Sequence, residues 1–172
     1  DPAETARNIV HAAIPDLASV CVIDFLRKDG WLGDSVVAAT QPRVAAGLEE
    51  IRRRSPLDPD GAHPVPTALR EGRPLIWRDL KAPDVVEKVV QSAEHRQLMD
   101  EAGYSSAAVV PLVARGRTLG VLSFLHAHED QRYDETDLEF LADLGGRAAM
   151  ALDNARLSRE RDSIARDLQR GL

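Results

Sequence analysis

The stretch "SSAAVVPLVARGRTLGVLSFLHAH", Ser105 to His128, constrains the fold more than any other. Two β-rich runs flank a turn centred on Gly116, and glycine supplies the positive φ that tight hairpin turns demand. A hairpin this apolar belongs in the middle of a sheet. A second hairpin is expected near the start, where "DLASVCVIDFLRKDGWLGDSVVAAT" holds a run rich in Val and Ile, then Asp29-Gly30, then another apolar run ending near Ala39. Leu17, Ser19, Cys21, Ile23 and Phe25 alternate with Val20, Val22 and Leu26, so both faces of the first strand require burial.

Helical spacing surrounds these hairpins. Ala6, Ile9, Val10 and Ala13 mark a short helix stopped by Pro15-Asp16. "PRVAAGLEEIRRRSP" reads as another helix, and "VVEKVVQSAEHRQLMDEAG" as one continuous helix with Val86, Val89, Val90, Ala93, Leu98 and Met99 near a stripe and Gly103 as its C-cap. Between them, "LDPDGAHPVPTALREGRP" with its four prolines and the brief strand "LIWRDL" make residues 41–103 the irregular, adaptable part. The last helix starts at Asp134, with Asp137 at its third position and Tyr133 placed to staple onto Leu138. Leu138, Leu141, Ala148 and Leu152 form its first stripe, and Gly145 allows close approach. Beyond Asn154 the stripe moves to Leu157, Ile164 and Leu168, spaced like alternate seam positions of a coiled coil, with polar Arg161 between them.

A chain of 172 residues with 44% hydrophobic content can bury one sizeable core. Acidic residues outnumber basic ones by 28 to 22, giving a net charge of −6, so no global attraction draws it to nucleic acid or an anionic membrane. One cysteine, Cys21, excludes an internal disulfide and a cysteine-built zinc cage, and a reducing cytoplasm is the expected compartment. No apolar run approaches the roughly 20 residues of a membrane-spanning helix. "DPAETARNIVHAAI" lacks the order of a signal peptide, and Asp1 in place of an initiator Met reads as a segment of a longer chain.

Chemistry-bearing residues are sparse. Asp29-Gly30 and Asp60-Gly61 read as turns, Glu49-Glu50 point to different sides of a helix, and "RRRS", Arg52 to Ser55, reads as a solvated face. No nucleophile–base arrangement or phosphate-cradling glycine loop is present. His126 and His128 would share a strand face, yet two ligands rarely hold a metal, and a surface role is the plainer reading. His63 and His95 fall in the irregular region with Trp77, Met99 and Tyr104, and such a set can line a pocket of aromatic walls and few polar groups. With Cys21 these are the candidate ligand-contacting residues; a core or surface role is the competing reading for each, a small core residue in the case of Cys21.

"VVPLVARGRTLGVLSFL" followed by "RYDETDLEFLADLGGRAAMALDNARL" resembles the carboxy-terminal half of a GAF domain, with "LASVCVIDFL" and "HPVPTALREGRPLIWRDL" extending the likeness over nearly the whole chain. "RERDSIARDLQRGL" is similar to the linker that precedes a metal-dependent serine phosphatase domain, of the protein phosphatase 2C type, in actinobacterial stress-response and sporulation regulators. The resemblance implies an α+β, profilin-related antiparallel sheet of five or six strands, with the first and last helices on one face and a small-molecule pocket under the irregular region on the other. It implies a GAF domain over residues 1–156 and a connector over 157–172 that pairs in a homodimer through Leu157, Ile164 and Leu168. The segment is then a cytoplasmic regulator, not an enzyme, controlling a covalently linked phosphatase; a ligand-free dimerisation or docking module and the sensor of a histidine kinase are the alternatives. No cofactor is implied with certainty, and the ligand is unnamed. Motifs for cyclic nucleotides and bilins are missing, and methionine sulfoxide reductase chemistry needs a cysteine pair.

Overall fold

The computed structural model describes residues 1–172. In chain order it contains α1 (Pro2–Ala13), β1 (Val20–Leu26), β2 (Leu32–Ala39), α2 (Pro42–Arg54), α3 (Pro64–Glu71), β3 (Leu75–Trp77), α4 (Pro83–Val89), α5 (Ala93–Ala102), β4 (Ser106–Ala114), β5 (Arg117–His126) and α6 (Glu135–Arg170). The five strands form one antiparallel sheet in the order β2-β1-β5-β4-β3, so β5 of the Gly116 hairpin takes the centre. Arg115 and Gly116 both have positive φ, 51° and 72°, the geometry a two-residue hairpin turn needs to match strand twist.

Strand alternation divides the core in two. Cys21, Ile23, Val110, Leu112, Leu122 and Phe124 point to the face covered by α1 and α6. Val20, Val22, Val109 and Val121 point to the face covered by α2, α3, α4 and α5. Gly120 lets β5 pass β1 closely, since a Cβ there would lie 2.3 Å from the Asp24 carbonyl oxygen.

Two elements differ from the sequence expectation. The helix expected from Val85 to Gly103 is broken into α4 and α5, because Ser92 leaves helical geometry and its Oγ accepts a hydrogen bond from the His95 N–H at 3.1 Å. A side chain that caps locally competes with helix continuation. The Pro-rich stretch in turn holds a regular helix, α3. Pro64 and Pro66 fall in its first turn, where a missing N–H costs nothing, and the His63 imidazole caps it.

Helix α6 is 36 residues long and begins with a reciprocal capping box between Asp134 and Asp137. Tyr133 and Leu138 join the same apolar cluster. Leu141, Gly145, Ala148, Ala149, Leu152 and Asp153 are buried against the sheet and α1. A Cβ at Gly145 would stand 2.6 Å from Val110 Cγ1, so the absence of a side chain sets how close helix and sheet come. From Ser158 onward every residue is exposed. That segment projects about 20 Å at 1.5 Å per residue.

Candidate functional site

Beneath the α2–α5 cover lies a cavity of ≈ 40 Å³. Val22, Val109 and Leu125 form its sheet wall, Leu48, Val65, Leu80 and Val89 its cover, and Arg52, His63, His95, Tyr104 and Ser123 its polar groups. His63 Nε2, Tyr104 Oη and Ser123 Oγ are buried with no hydrogen-bond partner in the protein. Each such group costs on the order of 1–3 kcal/mol, and folded proteins rarely tolerate several together. Their convergence on one cavity makes it the candidate site of this face.

Local structure fixes which atoms donate. His63 Nδ1 accepts from the Val65 N–H at 3.0 Å as the cap of α3, so its proton sits on Nε2, the buried atom without a partner. His95 Nδ1 likewise accepts from the Gln91 N–H at 3.1 Å, across the break between α4 and α5, leaving Nε2–H as a donor. Burial, with the charge of Arg52 adding to it, holds His63 well below the usual imidazole range and His95 down to about 4. Both rings are neutral at pH 7. Burial also pushes the Tyr104 phenol up, so it keeps its proton.

Arg52 ties three elements together around this space. Its Nε donates to Asp24 Oδ1 of β1 at 2.9 Å, with side chains 5% and 0% exposed. Ser35 Oγ of β2 donates to the same Asp24 oxygen. Arg52 Nη1 donates to Gln91 Oε1, and Gln91 Nε2 donates back to the Ser55 carbonyl at 2.6 Å. The link between α4 and α5 is thereby fastened to α2 and the sheet. Outside the cavity, a surface cleft runs past Lys81, Val86, Arg96 and Met99, and Leu80 and Tyr104 line both spaces.

On the opposite face, buried Asp153 of α6 accepts from Arg115 in the β4–β5 turn and from Arg156 Nη2 at 2.9 Å, while Arg115 Nη2 reaches Asn154 Oδ1 at 2.9 Å. Arg156 and Arg115 together hold the Asp153 carboxyl below its ordinary range. The clamp sits where α6 leaves the body of the fold.

A family model described as the GAF domain matches residues 1–153. The chain belongs to the GAF family. Solved structures agree on the fold. The GAF-B domain of DevS from Mycobacterium smegmatis is 21% identical over 94% of this chain and 99% of that one, with a TM-score of 0.68. A GAF domain/HD domain protein from Geobacter sulfurreducens is 16% identical over 91% and 95%, TM-score 0.67. The free methionine-R-sulfoxide reductase from Neisseria meningitidis, solved with its substrate, is 17% identical over 92% and 81%, TM-score 0.67. No curated protein matches the sequence.

Within this GAF domain, His63, His95 and Tyr104 meet at the cavity. Met99 lines the neighbouring cleft instead. Trp77 packs partly buried against the same core without lining the cavity. Cys21 does not belong with them: strand parity turns it to the α1–α6 face, where burial pushes its thiol up and suppresses the thiolate. His126 stacks on Tyr133 at 4.2 Å. The reading of "RRRS" as a solvated face fails at Arg52 alone, since Arg53 and Arg54 pair with Glu50 on the surface. Its signal was in the sequence: Val44, Leu48 and Arg52 share one stripe of α2, and Asp24 continues the buried face of Val20 and Val22. Opposite charges on two buried faces must find each other. Ser123, a lone polar residue between Val121 and Leu125 on the same strand face, was missed for want of the partner helices above it.

Proposed function

We propose that this GAF domain is the sensory segment of a cytoplasmic signalling protein, in which occupation of the cavity changes how α6 packs and α6 passes that change to an output domain. The carrying observation is the second half of α6. Ile164 and Leu168 are 61% and 67% exposed on a helix with no core of its own there, and together with Leu157 they hold seam spacing. A second copy of the chain covers them in a homodimer. The output is a metal-dependent serine/threonine phosphatase of the stress-response type, a reading supported by the likeness of "RERDSIARDLQRGL" to the linker of those proteins. A ligand can drive such a change only if it binds the two packings with different affinity.

The small cavity favours one other reading, a docking module that takes no ligand. The unpaired polar atoms around it speak for a ligand.

Sedimentation velocity tests the connector. The chain is expected to dimerise, and Ile164→Asp with Leu168→Asp to render it monomeric with the fold intact. In the phosphatase-linked protein that this reading implies, the same pair is expected to abolish ligand-dependent change in metal-dependent phosphoserine phosphatase activity. A wild-type chain that stays monomeric at high concentration, or a variant that dimerises and responds normally, overturns the reading.

A further inference from the structure

We propose that the cavity selects a neutral small molecule bearing a hydrogen-bond acceptor, a carbonyl above all, on an apolar body, and that it rejects carboxylates and phosphates. This rests on the reading of the cavity as the input site and adds the chemistry of what enters it. The hydrogen-bonding sense of the wall is one-sided. His63 and His95 each have Nδ1 occupied by a backbone N–H and so present Nε2–H. Tyr104 and Ser123 add two hydroxyls without a partner in the fold. Two obligatory donors and two groups able to donate are best satisfied by acceptor oxygens.

Charge sets the second condition. The one ionised group on the wall, Arg52, is already balanced by Asp24 at 2.9 Å, both fully desolvated. An anion entering there becomes the unbalanced charge in a low-dielectric space, and a cation meets only donors and a guanidinium. Neither histidine relieves this, because both imidazoles are neutral at pH 7. Hydrogen-bonding capacity without compensating charge is the signature of a site for neutral ligands.

Size sets the third. At ≈ 40 Å³ the cavity is well below the roughly 150 Å³ that accommodates benzene. Anything larger than a few heavy atoms enters by moving Leu80 or Tyr104 towards the cleft that both also line. Tyr104 is thus at once a donor to the ligand and part of the partition it must displace.

The test uses three probes of one shape, an isopropyl group on a carbonyl that carries NH2, CH3 or O−: isobutyramide, 3-methyl-2-butanone and isobutyrate. The 15N-histidine-labelled chain is titrated at pH 7 and read by long-range 1H–15N correlation at the imidazole nitrogens. The amide and the ketone are expected to shift His63 and His95 Nε2 saturably, and isobutyrate to bind at least about tenfold more weakly. Tyr104→Phe and Ser123→Ala, which delete only unpaired hydroxyls, should each weaken the ketone about fivefold while leaving the histidine tautomers unchanged. Isobutyrate binding as tightly as the ketone at the same resonances overturns the ligand class and leaves the cavity as the input site. If no probe shifts either histidine saturably, the input-site reading falls together with the ligand class.

Discussion

Arg52 shows how unequal three adjacent arginines can be. It is buried against Asp24, while Arg53 and Arg54 sit on the surface beside Glu50. Replacing one partner of a buried pair leaves the other charge uncompensated, which costs about 3–5 kcal/mol, whereas exposed pairs contribute at most about 1 kcal/mol. Arg52→Met is therefore expected to lower the urea midpoint steeply, and Arg53→Met and Arg54→Met barely to move it; equal effects at all three positions would contradict the burial described for Arg52. Residue identity was legible where it implied burial of a special group, as with His63, His95 and Tyr104, which the structure gathers at one cavity. Cys21 was legible only by parity. Its alternation with Val20 and Val22 says that it faces away from them, but which face carries the cavity depends on helices far along the chain.

At the scale of elements, the contact of α6 with β4 is decided by Gly145. Adding a methyl group gains up to about 1 kcal/mol in helix propensity. Against that, the new Cβ would meet Val110 Cγ1 at 2.6 Å, and valine is stiff at χ1. Overpacking of this kind typically costs about 1–3 kcal/mol. Gly145→Ala should destabilise the domain in equilibrium denaturation, and Val110→Ala in the same chain should cost less than the two single effects added. Strict additivity would mean that the helix shifts freely and that Gly145 does not set its position. Hairpins and long helices were legible because turn residues and apolar period agree. The break at Ser92 was not, since the apolar stripe runs across it and only the serine cap and the His95 bond to the Gln91 N–H reveal it.

For the whole molecule, the neutral cavity histidines make stability depend on acid. An unfolded histidine gains its proton near pH 6.5, while His95 in the fold does so only at about 4, and His63 is also held well below the ordinary value. Between those limits the unfolded chain binds more protons, so stability falls as pH drops from 6.5 towards 4 and levels once the folded groups titrate. Each histidine contributes a slope of about 1.4 kcal/mol per pH unit at most. Thermal denaturation from pH 7.5 to 4 should show this loss, and His95→Gln should flatten the part due to that ring; an undiminished slope in the variant would place the acid sensitivity elsewhere. A sheet covered on both faces was legible from the doubly apolar first strand, whereas the cavity arises from how four helices fail to close over β1, β4 and β5.

The Arg115–Asp153–Arg156 clamp gives the exposed end of α6 a mechanical property. It pins the helix to the β4–β5 turn near its last contacts with the body, so a tilt of the overhang would turn about this point. A tilt of roughly 10° about that point would swing the tip of the roughly 20 Å overhang by about 3.5 Å. A tilt too small to separate α6 from the sheet would thus appear at Leu168 as a displacement close to a side-chain width.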